Sequence, residues 1–301
     1  SLPPTPQTPT NNQPTTNNQQ PTTMISALQF EFMRNAIAAG ILVSIACGII
    51  GTFVVVNRIV FISGGIAHAA YGGIGLGYFF KFSPVIGAIA FSLIAALGMG
   101  TVQRKTTQRA DTIIGVMWSL GMALGIILVD ITEGYKADLM SYLFGSILTV
   151  PTSDLIIMLA IDLIIGLLVF LFYKELLAIS FDETFATVRN VPVDAIYLLL
   201  MCAIALTVVM MMRVVGLIMV IALLTMPAAI SGEFVKDLKK MMAMASFLGI
   251  VFTTTGLWLS YFLNLTSGAT IILVAGVVYL LSLTSKWLWK NQKSKSADVS
   301  L

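Results

Sequence analysis

The sequence predicts an all-α fold, a polytopic transmembrane helical bundle of about nine helices, and three observations predict it. Apolar residues make up 57% of the 301-residue chain and charged residues only 10%, against roughly 25% charged in a soluble domain. Long apolar runs recur from Phe32 to Trp289, each near the roughly 20 residues that a bilayer crossing requires. Basic residues collect in every second connection, the pattern that marks cytoplasmic loops.

The chain opens on a segment of a different kind. Residues 1–23 hold six of the ten prolines among Thr, Asn and Gln, and no charge appears before Glu31. Such a segment has nothing to bury and reads as a disordered Thr/Pro/Asn/Gln-rich spacer. It has neither the basic start nor the apolar stretch of a signal peptide. The membrane domain is expected over 24–288, followed by a basic cytoplasmic tail at 289–301.

The predicted spans are Phe32–Val56, Phe61–Phe80, Pro84–Val102, Thr112–Val129, Leu155–Tyr173, Ala195–Met212, Val214–Ser231, Met241–Leu263 and Gly268–Ser285. Arg58, then Arg104, Lys105 and Arg109, then Lys174 and Arg189, then Lys236, Lys239 and Lys240 mark one side. Lys286, Lys290, Lys293 and Lys295 follow on that same side. With nine crossings the C-terminus is cytoplasmic and the N-terminus external. Arg34, Lys81, Lys136 and Arg213 fall on the outer side. The net charge of +3 sits in loops and tail and calls for no nucleic-acid partner.

Two connections carry more than a tether needs. The outer one, 130–154, contains the apolar piece 139–148, too short to span and read as re-entrant or interfacial. Its acids Asp130, Glu133 and Asp138 either attract cations by their field or form an ordinary solvated loop. The inner one, 174–194, contains a short helix. Ser180 is its expected N-cap, Asp182 and Glu183 suit its first turn, and Asn190 and Pro192 end it.

Few residues in the apolar runs carry chemistry. His68 is the only histidine. An ionisable ring at bilayer depth is costly and faces protein or a water-filled path, and imidazole is a common ligand for transition metals. On a helix His68 shares a face with Gly64, Gly72 and Gly75, which is expected to leave room beside the ring. The alternative is a histidine hydrogen-bonded between helices. Asp162 is the other deep acid, a candidate oxygen ligand or a neutral, hydrogen-bonded carboxyl. Gly65, Ala69, Gly73 and Gly77 form a small-residue stripe for close helix packing. Met210, Met211 and Met212 point in different directions and read as packing, as do Cys47 and Cys202. Pro227 frees a carbonyl that either lines a cavity or finds a neighbour.

Three segments, in order, carry a resemblance: Val56-Asn-Arg-Ile-Val-Phe-Ile-Ser-Gly-Gly-Ile-Ala-His-Ala-Ala70, Ile179-Ser-Phe-Asp-Glu-Thr-Phe-Ala186, and Arg213-Val-Val-Gly-Leu-Ile-Met-Val-Ile-Ala-Leu-Leu-Thr-Met-Pro-Ala-Ala229. With Asp111–Gly115 and Leu143–Leu148 they resemble the membrane permease of ATP-binding-cassette importers for zinc, manganese or iron. The resemblance covers Phe32 to Leu288. It implies a type II importer permease fold in the cytoplasmic (inner) membrane, working as a homodimer. It implies a separate ATPase subunit, an external or periplasmic metal-binding protein, and no permanently bound cofactor, only a transported divalent metal. It implies that Ser180, Phe181, Asp182, Glu183, Phe185 and Arg189 form the surface that couples to the ATPase, with Phe181 and Phe185 one turn apart. It places His68 in the metal path; Asp162, singled out above as a deep acid, is the candidate second ligand. Many relatives carry an aspartate four residues before this histidine; here that position is Gly64.

No G-x-x-x-x-G-K-[ST] loop occurs, so ATP must be bound by another chain. One histidine cannot build an H-E-x-x-H site, so the chain is not expected to be an enzyme. A permease for a siderophore-like metal chelate and an ion-gradient-driven secondary transporter remain as alternatives.

Overall fold

The structure, a computed structural model, describes residues 28–106, 110–132, 143–217 and 220–298. The spacer at 1–23, Arg109, Glu133, Lys136, Asp138 and the first part of the apolar piece at 139–148 lie outside the described residues.

Among the described residues, eleven α-helices follow in chain order: α1 Glu31–Val56, α2 Val60–Phe79, α3 Pro84–Lys105, α4 Ala110–Asp130, α5 Thr152–Leu171, α6 Tyr173–Phe181, α7 Glu183–Val188, α8 Val193–Val214, α9 Val220–Phe234, α10 Leu238–Leu263 and α11 Ser267–Asp298. A 3-10 turn at Ile147–Thr149 precedes α5. The chain belongs to the all-α class, and eight of these helices are long and apolar enough to cross a membrane.

The exception is the seventh predicted span. It starts at Val220 rather than Val214 and has 15 helical residues, about 22 Å at 1.5 Å per residue, short of the ~30 Å hydrocarbon core. The cause is local: Gly216 has φ +79°, a left-handed conformation that ends α8. The connection nevertheless returns across the bundle. The end of α8 meets the outer residues Phe144 and Gly145. Gly232 and Glu233 of α9 share a cavity with Val55 and Val56, at the inner end of α1. The described helices therefore pass nine times between the two ends.

α1 is the central post. It packs on α10, α9, α5 and α8, and Gly48 and Gly51 let it approach Ser246 of α10 and the backbone of Leu224 in α9. Ser44 and Thr253 hydrogen-bond across the α1–α10 seam at 3.2 Å. α2 contains six glycines, each weaker than alanine in a helix by about 0.8–1 kcal/mol. Its stability comes instead from close packing on α3 and α4. Pro84 starts α3 at the first turn, where a missing N–H costs nothing.

Four helix ends close with a left-handed residue: Arg58, Lys81, Asn190 and Asn264, at φ 53–57°. In each, the next N–H reaches back to a carbonyl of the last turn, as from Ile59 to Val54 at 3.1 Å and from Phe82 to Gly77 at 3.0 Å. This closure satisfies carbonyls the helix leaves free. Arg58, Arg104, Lys105, Lys174, Arg189, Lys236, Lys239, Lys240 and Lys286 all belong to one end of the bundle, and Arg34 and Lys81 to the other. The first of these ends carries most of the bundle's positive charge, the bias expected of a cytoplasmic face.

Candidate functional site

His68 sits mid-way along α2. Its ring stacks on Trp118 of α4, centroids 4.4 Å apart and planes 14° from parallel. Its Nδ1 is buried and has no hydrogen-bond partner. A buried, unpaired nitrogen is costly, and the hydrogen bond between helices that would explain the ring structurally is missing at this atom. The stacking fixes the ring plane, and Nδ1 is left without a hydrogen-bond partner in the chain.

The expected room beside the ring is not where glycine spacing put it. A Cβ on Gly72 would meet the Gly121 carbonyl at 2.8 Å, and one on Gly75 would meet Gly125 at 2.5 Å. These glycines bring α2 and α4 into backbone contact. The face they share with His68 is a packed seam, because small residues on one helix met small residues on the other. Gly64 is covered by the Ile221 side chain of α9, 2.6 Å from where a Cβ would stand. The stripe is packed in the same way: Gly65 lies against Met99 and Ile114, Ala69 against Gly121, Gly73 against Gly87 and Gly77 against Pro84.

Asp162 lies on α5, with both carboxylate oxygens buried and without a hydrogen-bond partner. Its electrostatic neighbour is Cys47 of α1. α5 packs on α1, α8 and α6, whereas α2 packs chiefly on α3, α4 and α8. Asp162 and His68 thus stand on helices that are not close neighbours in the bundle. Among the described residues no three His, Cys, Asp or Glu side chains form a metal-binding group. Met210, Met211 and Met212 are buried in the core, and Pro227 is buried inside α9.

At the basic end of the bundle the short helix is two helices. α6 ends at Phe181, Asp182 takes an extended conformation (φ −151°), and α7 begins at Glu183. The N-cap is Asp182 rather than Ser180: its carboxylate accepts from the Phe185 N–H at 2.9 Å. Ser180 is still helical and donates to the Leu176 carbonyl at 2.7 Å, while Asn57 donates to its hydroxyl at 2.9 Å. The serine hydroxyl is engaged by the preceding turn, as serines within helices commonly are, and cannot cap. Phe181 and Phe185 consequently lie on separate helices rather than one turn apart on one. Both still face outward, 65% and 54% exposed, with Val188 77% exposed. Arg189 places its guanidinium over the Phe185 ring, 5.6 Å from the centroid.

Sequence reasoning missed what holds this surface. Arg104, at the end of α3, pairs with Glu183 of α7 and Asp194 of α8, each at 2.6 Å. Its guanidinium also lies 5.5 Å from the Tyr197 ring centroid. The sequence showed Arg104 only as one of a basic cluster; its partners lie 79 and 90 residues away.

The family model described as the ABC 3 transport family matches residues 29–286. The chain belongs to that family. Among members and relatives, an uncharacterised membrane protein of Synechocystis is 66% identical over 86% of this chain and 92% of its own length. The manganese transport system membrane protein MntC of Listeria monocytogenes is 36% identical, covering 85% of this chain and 91% of that protein. The solved structure of PsaBC from Streptococcus pneumoniae in complex with Fab superposes with a TM-score of 0.79 at 35% identity, covering 86% of this chain and 93% of that one. This ABC 3 transport protein is thus a multi-pass membrane permease with the nine-pass bundle described above.

Proposed function

We propose that the chain is the permease subunit of an importer that moves a free divalent transition metal, manganese first among manganese, zinc and iron, driven by a separate ATPase. The observation that carries this reading is the outward apolar surface of α6–α7 at the basic end of a permease that has no phosphate-binding loop of its own. Phe181, Phe185 and Val188 are exposed beyond what solvent favours and suit an apolar groove on a partner. Asp182, Glu183, Arg189 and Ser180 flank them and give orientation more than affinity.

Manganese comes first because several relatives are named for its transport. The lone imidazole suits zinc or iron as well, so all three belong in the test. His68 acts as a relay: one nitrogen contacts the passing ion and releases it readily, since a single ligand holds weakly. Two copies of the chain enclose the path, and an external binding protein delivers the ion. Asp162, whose helix is not a close neighbour of α2, contributes to the path only from another depth or across the two copies.

The test is ATP-dependent accumulation of manganese, zinc and iron in vesicles containing the permease, its ATPase and its binding protein, read by elemental analysis. One ion accumulates, and His68→Ala lowers that accumulation at least tenfold while the complex still assembles. Equal accumulation in the variant removes His68 from the path. Accumulation of no free ion sinks the cargo assignment and leaves a metal chelate as the substrate.

A further inference from the structure

We propose that Arg104 is a strut that fixes α7 to the membrane helices, and so a positioning residue for the coupling of ATP hydrolysis to transport. The proposal rests on α7 being the ATPase-facing element named above.

α7 has little else to hold it. Of its six residues only Ala186 is buried, and Phe185 and Val188 face outward. Behind it lies a cavity of about 390 Å³, lined by Asn57, Arg104, Ser180, Glu183 and Tyr197 among others. Ala186 is thus the one side chain of α7 that packs inward. The first residue of α7, Glu183, is gripped by Arg104, which spends its other face on Asp194. The planar guanidinium offers two donors in fixed directions, which a lysine cannot reproduce. Tyr197, one turn beyond Asp194 on α8, carries the guanidinium on its ring.

One side chain thus joins three helices: α7, α3 and α8. α3 in turn meets α2 backbone to backbone where Gly87 lies on Gly73, and α2 carries His68. A displacement of α7 passes through Arg104 into α3, and from α3 into the helix that holds the histidine. The pairs are half-exposed, with side chains 53% and 76% accessible at Glu183 and Asp194. Pairs this exposed contribute little to stability, so removing the strut leaves the fold and the assembly standing. What it removes is a directional restraint on α7 beyond its chain links to α6 and α8.

Two measurements on the full complex test this. The first is metal moved per ATP hydrolysed for wild type, Arg104→Gln, Arg104→Lys and Asp194→Asn. The second is the distribution of distances between spin labels introduced through Gln103→Cys and Thr187→Cys, with Cys47 and Cys202 replaced by alanine. Arg104→Gln is expected to keep ATP hydrolysis within about twofold, to lower metal moved per ATP about tenfold, and to broaden the label distribution. Arg104→Lys recovers part of both, and Asp194→Asn gives a smaller loss in both. An unchanged distribution overturns the strut. A broadened distribution with normal metal per ATP overturns its role in coupling. A fall in metal per ATP without broadening places the loss elsewhere and overturns it too. Should the wild-type complex move no free metal, the cargo assignment fails while the label distances still decide the strut.

Discussion

Gly73→Ala will separate α2 from α3, and its cost follows from the contact geometry. A Cβ at Gly73 would overlap the carbonyl of Gly87, main chain of a neighbouring helix, and would come within 2.7 Å of the Phe91 Cβ. Main chain cannot rotate aside, so the helices must part. Overpacking of this kind costs about 1–3 kcal/mol. The substitution also gains about 0.8–1 kcal/mol of helix propensity, which masks part of the loss. Gly115→Ala on α4 supplies the reference, because nothing lies within 4 Å of its Cβ position. Both variants gain the same propensity term, so the difference between them isolates the overlap. That difference corresponds to about 2–4 °C of melting temperature per kcal/mol in chains approaching this length. Thermal unfolding in detergent, followed by tryptophan fluorescence, should place Gly73→Ala roughly 2–12 °C below Gly115→Ala on that scale. A Gly73→Ala variant melting at or above Gly115→Ala would refute the reasoning that close backbone contact constrains this seam.

Other consequences can be measured alongside. Asp182→Ala removes the only side-chain cap on α7, worth about 1 kcal/mol; hydrogen exchange at the Phe185 amide should quicken about fivefold, and an unchanged rate would deny the cap its role. Gly64→Asp combined with Ile221→Ala clears the covering side chain and sets a carboxylate four residues before His68. Such a pair holds the ion longer, so manganese uptake in vesicles should show a lower KM together with a lower kcat. An unchanged KM would mean that position 64 does not reach the path.

The sequence made most of the bundle legible because lipid imposes one requirement on every crossing, a long apolar run. The spans it marked agree with α1 to α5, α8 and α10 to within a few residues, and α11 starts where expected but stays helical past Ser285 to Asp298. The misjudged start of α9 had a tertiary cause: Gly216 adopts its left-handed conformation where Gly145 and Gly268 press against the same backbone. Composition cannot show that. Ser180 and Asp182 are both good capping residues, and which one caps depends on Asn57 reaching Ser180 from another connection. The spacing around His68 correctly placed the glycines on its face of α2, but not the fact that Gly121 and Gly125 stand opposite. Arg104 carried no local signal, since its role is defined by two carboxylates distant in the chain.

The joint between Gly145 and Gly216 has a further consequence for how this protein tolerates change. Both residues have positive φ, 69° and 79°, and each would drive a Cβ into the main chain of the other's segment. Side chains in a core can exchange volume with their neighbours over many substitutions, but here no neighbour has any volume to give. The two positions are therefore coupled to geometry and not to each other's identity. Drift along the surrounding helices, including wholesale replacement of the apolar lining, leaves the requirement at 145 and 216 untouched. A library randomised at both sites together should return glycine at each independently, with no rescuing pairs.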